Sequence, residues 1–211
     1  MENIFRRGHR LNPFHAPVRR NLLRLLGSGL LAMVLAAPAA AQNPGTTQVQ
    51  FQTSLGPFVL ELYPQKAPKT VQNFVQYVKD KHYDGTVFHR VIDGFMVQGG
   101  GFTAELAQKP TRTPVPLEID RSLKNERGTI AMARTGNPNS ATSQFFINLV
   151  DNPMLNAPQP DGYGYAVFGK VISGMETIDA MRSVATRNQN GHQNVPAVPI
   201  TINTATVLTS P

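Results

Sequence analysis

Residues 88–102 read FHRVIDGFMVQGGGF, and this stretch decides how the rest of the chain is read. Val87–Val91 and Phe95–Gly99 read as short strands, rich in β-branched and aromatic residues. Between and within them sit three residues of different chemistry. Arg90 lies among the apolar Phe88, Val91 and Ile92, and Phe95 and Gln98 follow, with Met96 between them. Gly99, Gly100 and Gly101 then mark a place where the backbone bends or packs closely. Taken alone, Arg90 reads equally as an arginine at the edge of a core, its stem buried and its head in an ion pair. Phe95 reads equally as ordinary core.

Working outward, further strands are expected at Val49–Thr53, Phe58–Leu62, Thr129–Arg134, Gln144–Asn148, Ala166–Val171 and Thr201–Leu208. Ser54-Leu55-Gly56-Pro57 supplies a turn between the first two. A helix should begin at Pro68, because proline's missing N–H would have no partner at the first helical position. Val71, Phe74, Val75 and Val78 then form one apolar stripe. A second helix is expected from Gly174 to Ser183, with Ser173 and Glu176 at capping-box spacing. About eight strands and two helices result, and they do not alternate as a doubly wound sheet requires. The fold class expected is mainly β: a closed antiparallel barrel, since closure removes exposed strand edges. Residues 103–116 and 184–200 lack sustained periodicity and read as long loops, solvated or functional.

The first forty-odd residues read differently. Arg6, Arg7, Arg10, Arg19, Arg20 and Arg24 are opposed only by Glu2, and an apolar run from Leu25 to Ala37 and the small residues Ala39-Ala40-Ala41 follow. Basic, apolar, small is the order of a secretory signal, with cleavage expected after Ala41 and the mature protein in the periplasm. The apolar run is short for a bilayer span of about 20 residues, so an uncleaved anchor is the lesser alternative. The segment Val18–Arg24 also resembles a twin-arginine export motif. The division expected is a signal at 1–41, a flexible lead-in at 42–47 and one domain at 48–211.

That boundary splits the formal charge of +7. The export segment holds six arginines and one glutamate, whereas the remainder has 14 basic and 12 acidic residues. The domain has no basic cluster interleaved with aromatics, which disfavours a nucleic-acid partner. Cysteine is absent, which removes disulfides and thiolate chemistry. His82, His89 and His192 are the domain's histidines, and no two have metal-site spacing, so neither metal nor cofactor is expected.

The second informative stretch, residues 128–148, reads GTIAMARTGNPNSATSQFFIN. Gln144, Phe146 and Asn148 share one strand face, and Phe145 and Ile147 the other. Either both faces are buried in a sandwich or one lines a cleft. Together, FHRVIDGFMVQGGGF, TSQFFIN and YAVFGKV resemble the signature of the cyclophilin-type peptidyl-prolyl cis-trans isomerases, from about Val49 to Leu208. ARTGNPNSATSQFFIN, DNPMLN and YGYAVFGKV are most similar to the exported bacterial branch of that family.

The resemblance implies an eight-stranded antiparallel barrel capped by two helices, acting on proline-containing polypeptides and assisting the folding of exported proteins. It implies that Arg90 is the catalytic arginine, with Phe95 and Gln98 in the catalytic set. Met96, Phe146 and Leu155 would wall a proline pocket, Gln144 would stand near the substrate backbone, and Ala133 and Arg134 would lie in a substrate-contacting stretch. Arg134 stands where many relatives have asparagine, which limits it to backbone contact. Met154 stands where many eukaryotic members have tryptophan and Tyr165 where they have histidine; both are counted as substrate-binding. Two other functions stay open on the residues alone: a proline-binding module without catalysis, and an unrelated carrier, which would need a hollow barrel. A monomer is expected, with no membrane span once the signal is removed.

Overall fold

In the computed structural model, which describes residues 47–208, strand alternation and closure dominate the architecture. Residues 1–41, expected to be a signal, and most of the expected lead-in lie outside the described residues; Thr47, assigned to the lead-in, already begins a strand. In chain order the elements are β1 (Thr47–Thr53), β2 (Gly56–Leu62), α1 (Pro68–Lys79), β3 (Val87–Ile92), β4 (Met96–Gly99), β5 (Thr129–Met132) and β6 (Phe145–Asn148). There follow β7 (Val167–Ser173), α2 (Met175–Arg182), β8 (Thr186–Gln189), β9 (His192–Pro196) and β10 (Ile200–Leu208). Eight of the strands close in the order β1-β10-β3-β4-β6-β5-β7-β2, each antiparallel to its neighbours, and β8 and β9 form a separate ribbon.

The barrel is filled. Phe51 and Phe58 stack inside it with ring centroids 4.9 Å apart, and Phe145 meets Phe51 edge-on at 5.7 Å. From α1, Phe74 enters this cluster and packs 5.1 Å from Phe168. From α2, Ile178 and Met181 join the same interior core. All are large and buried, so side chains of the described residues fill the barrel where a carrier would need a hollow.

Each helix is set by something the local sequence does not show. At α1, Pro68 opens the helix as expected, but Ala67 offers no side-chain cap. The orphan donors are satisfied from a distance instead. The Glu118 carboxylate accepts the backbone N–H groups of Lys69 at 3.1 Å and Thr70 at 2.8 Å, and the Thr70 hydroxyl at 2.8 Å. At α2 the expected capping box does not form. Ser173 belongs to β7, where it pairs with Val59, and the N-cap is Gly174 with φ 79°. A Cβ at Gly174 would fall 2.6 Å from the Phe58 Cα, so the close approach demands glycine.

Residues 184–200, read as an irregular loop, hold the β8–β9 hairpin instead. Gln189 pairs with His192 across Asn190-Gly191, whose φ values of 50° and 79° are those of a two-residue primed turn. The loop at 103–116 is irregular but anchored. Lys109 Nζ donates to the His82 carbonyl at 2.6 Å, and Val115 bridges to Ala141.

Replacing Glu118 with alanine removes three hydrogen bonds and a negative charge from the start of α1. The expected cost is about 1–2 kcal/mol of stability, measured by urea denaturation. An unchanged midpoint contradicts this account of the helix start.

Candidate functional site

The site begins with an irregularity in β3. Its pairing with β4 runs Ile92↔Met96, Val91↔Val97 and Arg90↔Gln98, then jumps to Phe88↔Gly99. His89 is therefore the extra residue of a β-bulge. By plain alternation Phe88 and Arg90 would share a face. The bulge breaks that phase: Phe88 is fully buried in the barrel, while Arg90 lines a cavity on the outer wall. The register then builds a row across the sheet, because Gln98 opposes Phe146 and Phe146 opposes Ala131. Residues directly opposite stand side by side on one face. Arg90, Gln98 and Phe146 are thereby neighbours, with Met96 one row away.

These side chains border a cavity of about 220 Å³, completed by Phe95, Ala133, Arg134, Leu155 and Tyr165 from adjoining segments. Of the residues predicted from sequence, Gln144 and Met154 do not line it. Gln144 stands behind Gln98 and accepts a 2.9 Å hydrogen bond from its Nε2. A Cβ at Gly101 would meet the Gln144 Cγ at 2.5 Å, so this glycine makes room for the glutamine. Met154 lies on the 3-10 turn Pro153–Leu155, which buries Leu155 and leaves Met154 53% exposed.

The two arginines of the cavity differ in what they have left to give. Arg134 has every N–H engaged. Its Nε and Nη2 donate to the Gly164 carbonyl, its Nη1 to the Thr135 carbonyl, and its Nη1 and Nη2 grip both Asp161 oxygens at 2.8 Å. The five N–H donors of the guanidinium meet four acceptor atoms, the Gly164 carbonyl taking two of them. Its Cζ also lies 4.5 Å over the Tyr165 ring, which meets Phe146 edge-on at 5.5 Å. Arg134 thus fastens the cavity wall. No hydrogen bond or ion pair to Arg90 occurs among the described residues.

A buried asparagine network ties the loops to the sheet. Asn152 Nδ2 donates to the Phe95 carbonyl at 2.9 Å and to Asn148 Oδ1 at 2.7 Å. Asn148 Nδ2 donates to Thr129 Oγ1 at 2.9 Å, and Asn125 Nδ2 donates to the Leu155 carbonyl at 3.1 Å. Buried amides carry weight only when paired, and this pairing fixes Phe95 and Leu155 on either side of the cavity. Asn125 and Asn152 went unnoticed in the sequence. The signal was Asn148, a polar residue closing the apolar run FFIN.

His89 is 4% exposed, and its Nδ1 has no hydrogen-bond partner among the described residues. Burial, then the neighbouring His192 and Arg90, push its pKa down to about 4. His82 is lowered as well, chiefly by burial. Among the described residues no group of three or more metal-ligating side chains occurs, and no helix is long and apolar enough to cross a membrane.

The family model described as cyclophilin type peptidyl-prolyl cis-trans isomerase/CLD matches residues 48–207. The chain is 52% identical over 162 residues to peptidyl-prolyl cis-trans isomerase cyp18 of Streptomyces antibioticus, covering 76% of this chain and 98% of that one. It is 51% identical over 179 residues to peptidyl-prolyl cis-trans isomerase A of Dickeya dadantii, covering 85% and 93%. Among solved structures, a cyclophilin type peptidyl-prolyl cis-trans isomerase of Cryptosporidium parvum superposes with a TM-score of 0.65 at 29% identity, covering 79% of this chain and 99% of that one.

The depressed His89 pKa links folding to acid. The unfolded imidazole, with a pKa of 6.5, binds protons more readily than the folded one at about 4. Stability is therefore whole above pH 6.5 and falls as the pH drops toward 4. At about 1.4 kcal/mol per pKa unit the loss approaches about 3 kcal/mol. His82 contributes in the same direction. Urea midpoints recorded from pH 7 to pH 4 should show a shallower decline in His89→Gln than in wild type; parallel declines contradict the assignment.

Proposed function

The chain belongs to the cyclophilin-type peptidyl-prolyl cis-trans isomerases, and on that footing we propose that its outer-wall cavity holds the substrate proline while Arg90 stabilises the twisted amide. The problem is a barrier, not an unfavourable equilibrium. Partial double-bond character opposes rotation of the C–N bond by about 18–20 kcal/mol, while cis and trans X–Pro differ by only about 0.5–1 kcal/mol. A catalyst must therefore bind the twisted form more tightly than either planar form.

Each part of the cavity contributes to that end. Phe95, Met96, Phe146 and Leu155 supply an apolar seat for the pyrrolidine ring, and Tyr165 closes one side. Rotation removes resonance and leaves a lone pair on the proline nitrogen. Arg90, free of other partners among the described residues, is placed to donate to it. Gln98 commits an amide N–H to Gln144. Its carbonyl oxygen remains to accept from Arg90 or from a substrate N–H. No covalent bond is made or broken. The observation carrying this proposal is the contrast between an uncommitted Arg90 and a saturated Arg134 in one cavity.

The same reading makes the protein a folding assistant for exported polypeptides. It rests on the order of basic, apolar and small residues at 1–41, and it places the mature domain in the periplasm. Mass spectrometry of the protein recovered from the cell envelope should give a mature start at Gln42; an intact Met1 start overturns cleavage.

Loss of one aimed donor in a partly dehydrated site costs about 100-fold or more. Arg90→Ala is expected to lower kcat/KM on a short X–Pro peptide by about that factor. Arginine stays protonated and His89 titrates near pH 4, so the wild-type rate should be flat from about pH 6 to pH 8. Equal rates for the two proteins overturn the role of Arg90. A sigmoid centred near neutrality transfers it to a histidine.

A further inference from the structure

The cavity wall formed by Arg90 and Gln98 has a second side. Beyond it the surface falls into another hollow, of about 390 Å³, which these two residues also line. The bulge at His89 turns that imidazole into this hollow rather than into the barrel. Phe102 packs 4.7 Å from the His89 ring, and His192, at the tip of the β8–β9 hairpin, lies 4.9 Å from Phe102 and 6.2 Å from His89. Gln144 and Gln193 supply amides. The lining therefore combines a guanidinium, two imidazoles and three glutamine amides, with no carboxylate among them. One of those imidazoles, His89, is buried, and its Nδ1 has no hydrogen-bond partner among the described residues.

We propose that this hollow is a substrate subsite that takes the chain flanking the proline and favours an acidic side chain there. The proposal rests on the proline sitting in the first cavity. A polypeptide seated there must leave across the cavity's rim, and the Arg90–Gln98 rim leads directly into the second hollow. At about 3.3 Å per extended residue, a rim one side chain thick is crossed in about two or three residues. A carboxylate arriving there meets Arg90 and His192 and accepts from the glutamine amides. Selection follows, because a side chain without an acceptor offers those donors nothing to bond.

The test compares three substrates: a tetrapeptide with one X–Pro bond, and longer peptides with Glu or with Ala at the second and third residues on either side of proline. Exposed charge pairs contribute up to about 1 kcal/mol, so wild type should turn over the Glu peptide about threefold to fivefold faster by kcat/KM. In His192→Ala that preference should vanish while the tetrapeptide rate stays. His192→Gln, which keeps an amide at the hairpin tip, controls for disturbance of the turn. Binding of the Glu peptide should also shift the His89 and His192 imidazole resonances. A wild type that treats Glu and Ala peptides alike, or a preference that survives His192→Ala, overturns the subsite alone. Failure of wild type to act on the tetrapeptide overturns the seating of proline, and the subsite with it.

Discussion

One extra residue in β3 sets the geometry on which the site depends. Without the bulge at His89, alternation would put Phe88 and Arg90 on the same face. Either a guanidinium would enter a core of stacked phenylalanines, or a phenylalanine would leave it. Burying an unpaired arginine among Phe51, Phe58 and Phe145 carries a desolvation cost of several kcal/mol. The bulge avoids both outcomes and sends two polar side chains, His89 and Arg90, outward together. Bulges also sharpen local twist, which suits a strand that must curve around a closed barrel.

The wall between core and cavity is a single sheet thick. Phe145 and Ile147 complete the interior, while Phe146, backed by the buried Ala131, lies on the outer side of the same pair of strands and lines the cavity. The core and the cavity lining are thus carried by alternate residues of one segment. What keeps the outer layer in place is polar. The asparagines at 125, 148 and 152 hold the loop carbonyls of Phe95 and Leu155, and the Arg134–Asp161 pair holds Tyr165 against Phe146. These restraints use directed bonds, so they fix position at small cost in surface.

Much of this was legible in the sequence, and the remainder has physical reasons for being hidden. Pro68 and the stripe through Val78 marked α1 because helix entry and amphipathicity are local. Phe145–Asn148 marked β6 because period two is local. The Glu118 cap was invisible because its partner lies 48 residues away in sequence. Ser173 and Glu176 had capping spacing, but β-pairing to Val59 claimed the serine first. The β8–β9 hairpin was missed although Asn190-Gly191 announces it; the flanking residues are too polar for their alternation to register. Among site residues, the family pattern pointed to the cavity lining, whereas the engagement of Gln144 behind Gln98 and the exposure of Met154 follow from tertiary contacts that no spacing encodes.

The one-sheet wall has a consequence for how such a chain can change over time. Neighbouring letters of β6 serve opposite sides, so substitutions at Phe146 reshape the cavity wall and leave the core face of Phe145 in place. Insertion or deletion of one residue there shifts the phase and exchanges the two roles at once. The strand therefore behaves like a text with a reading frame: tolerant of spelling at every second position, intolerant of slippage. Variation in the shape of the cavity is confined to replacements in the strands and to length changes in the loops that bring Leu155 and Tyr165 to it.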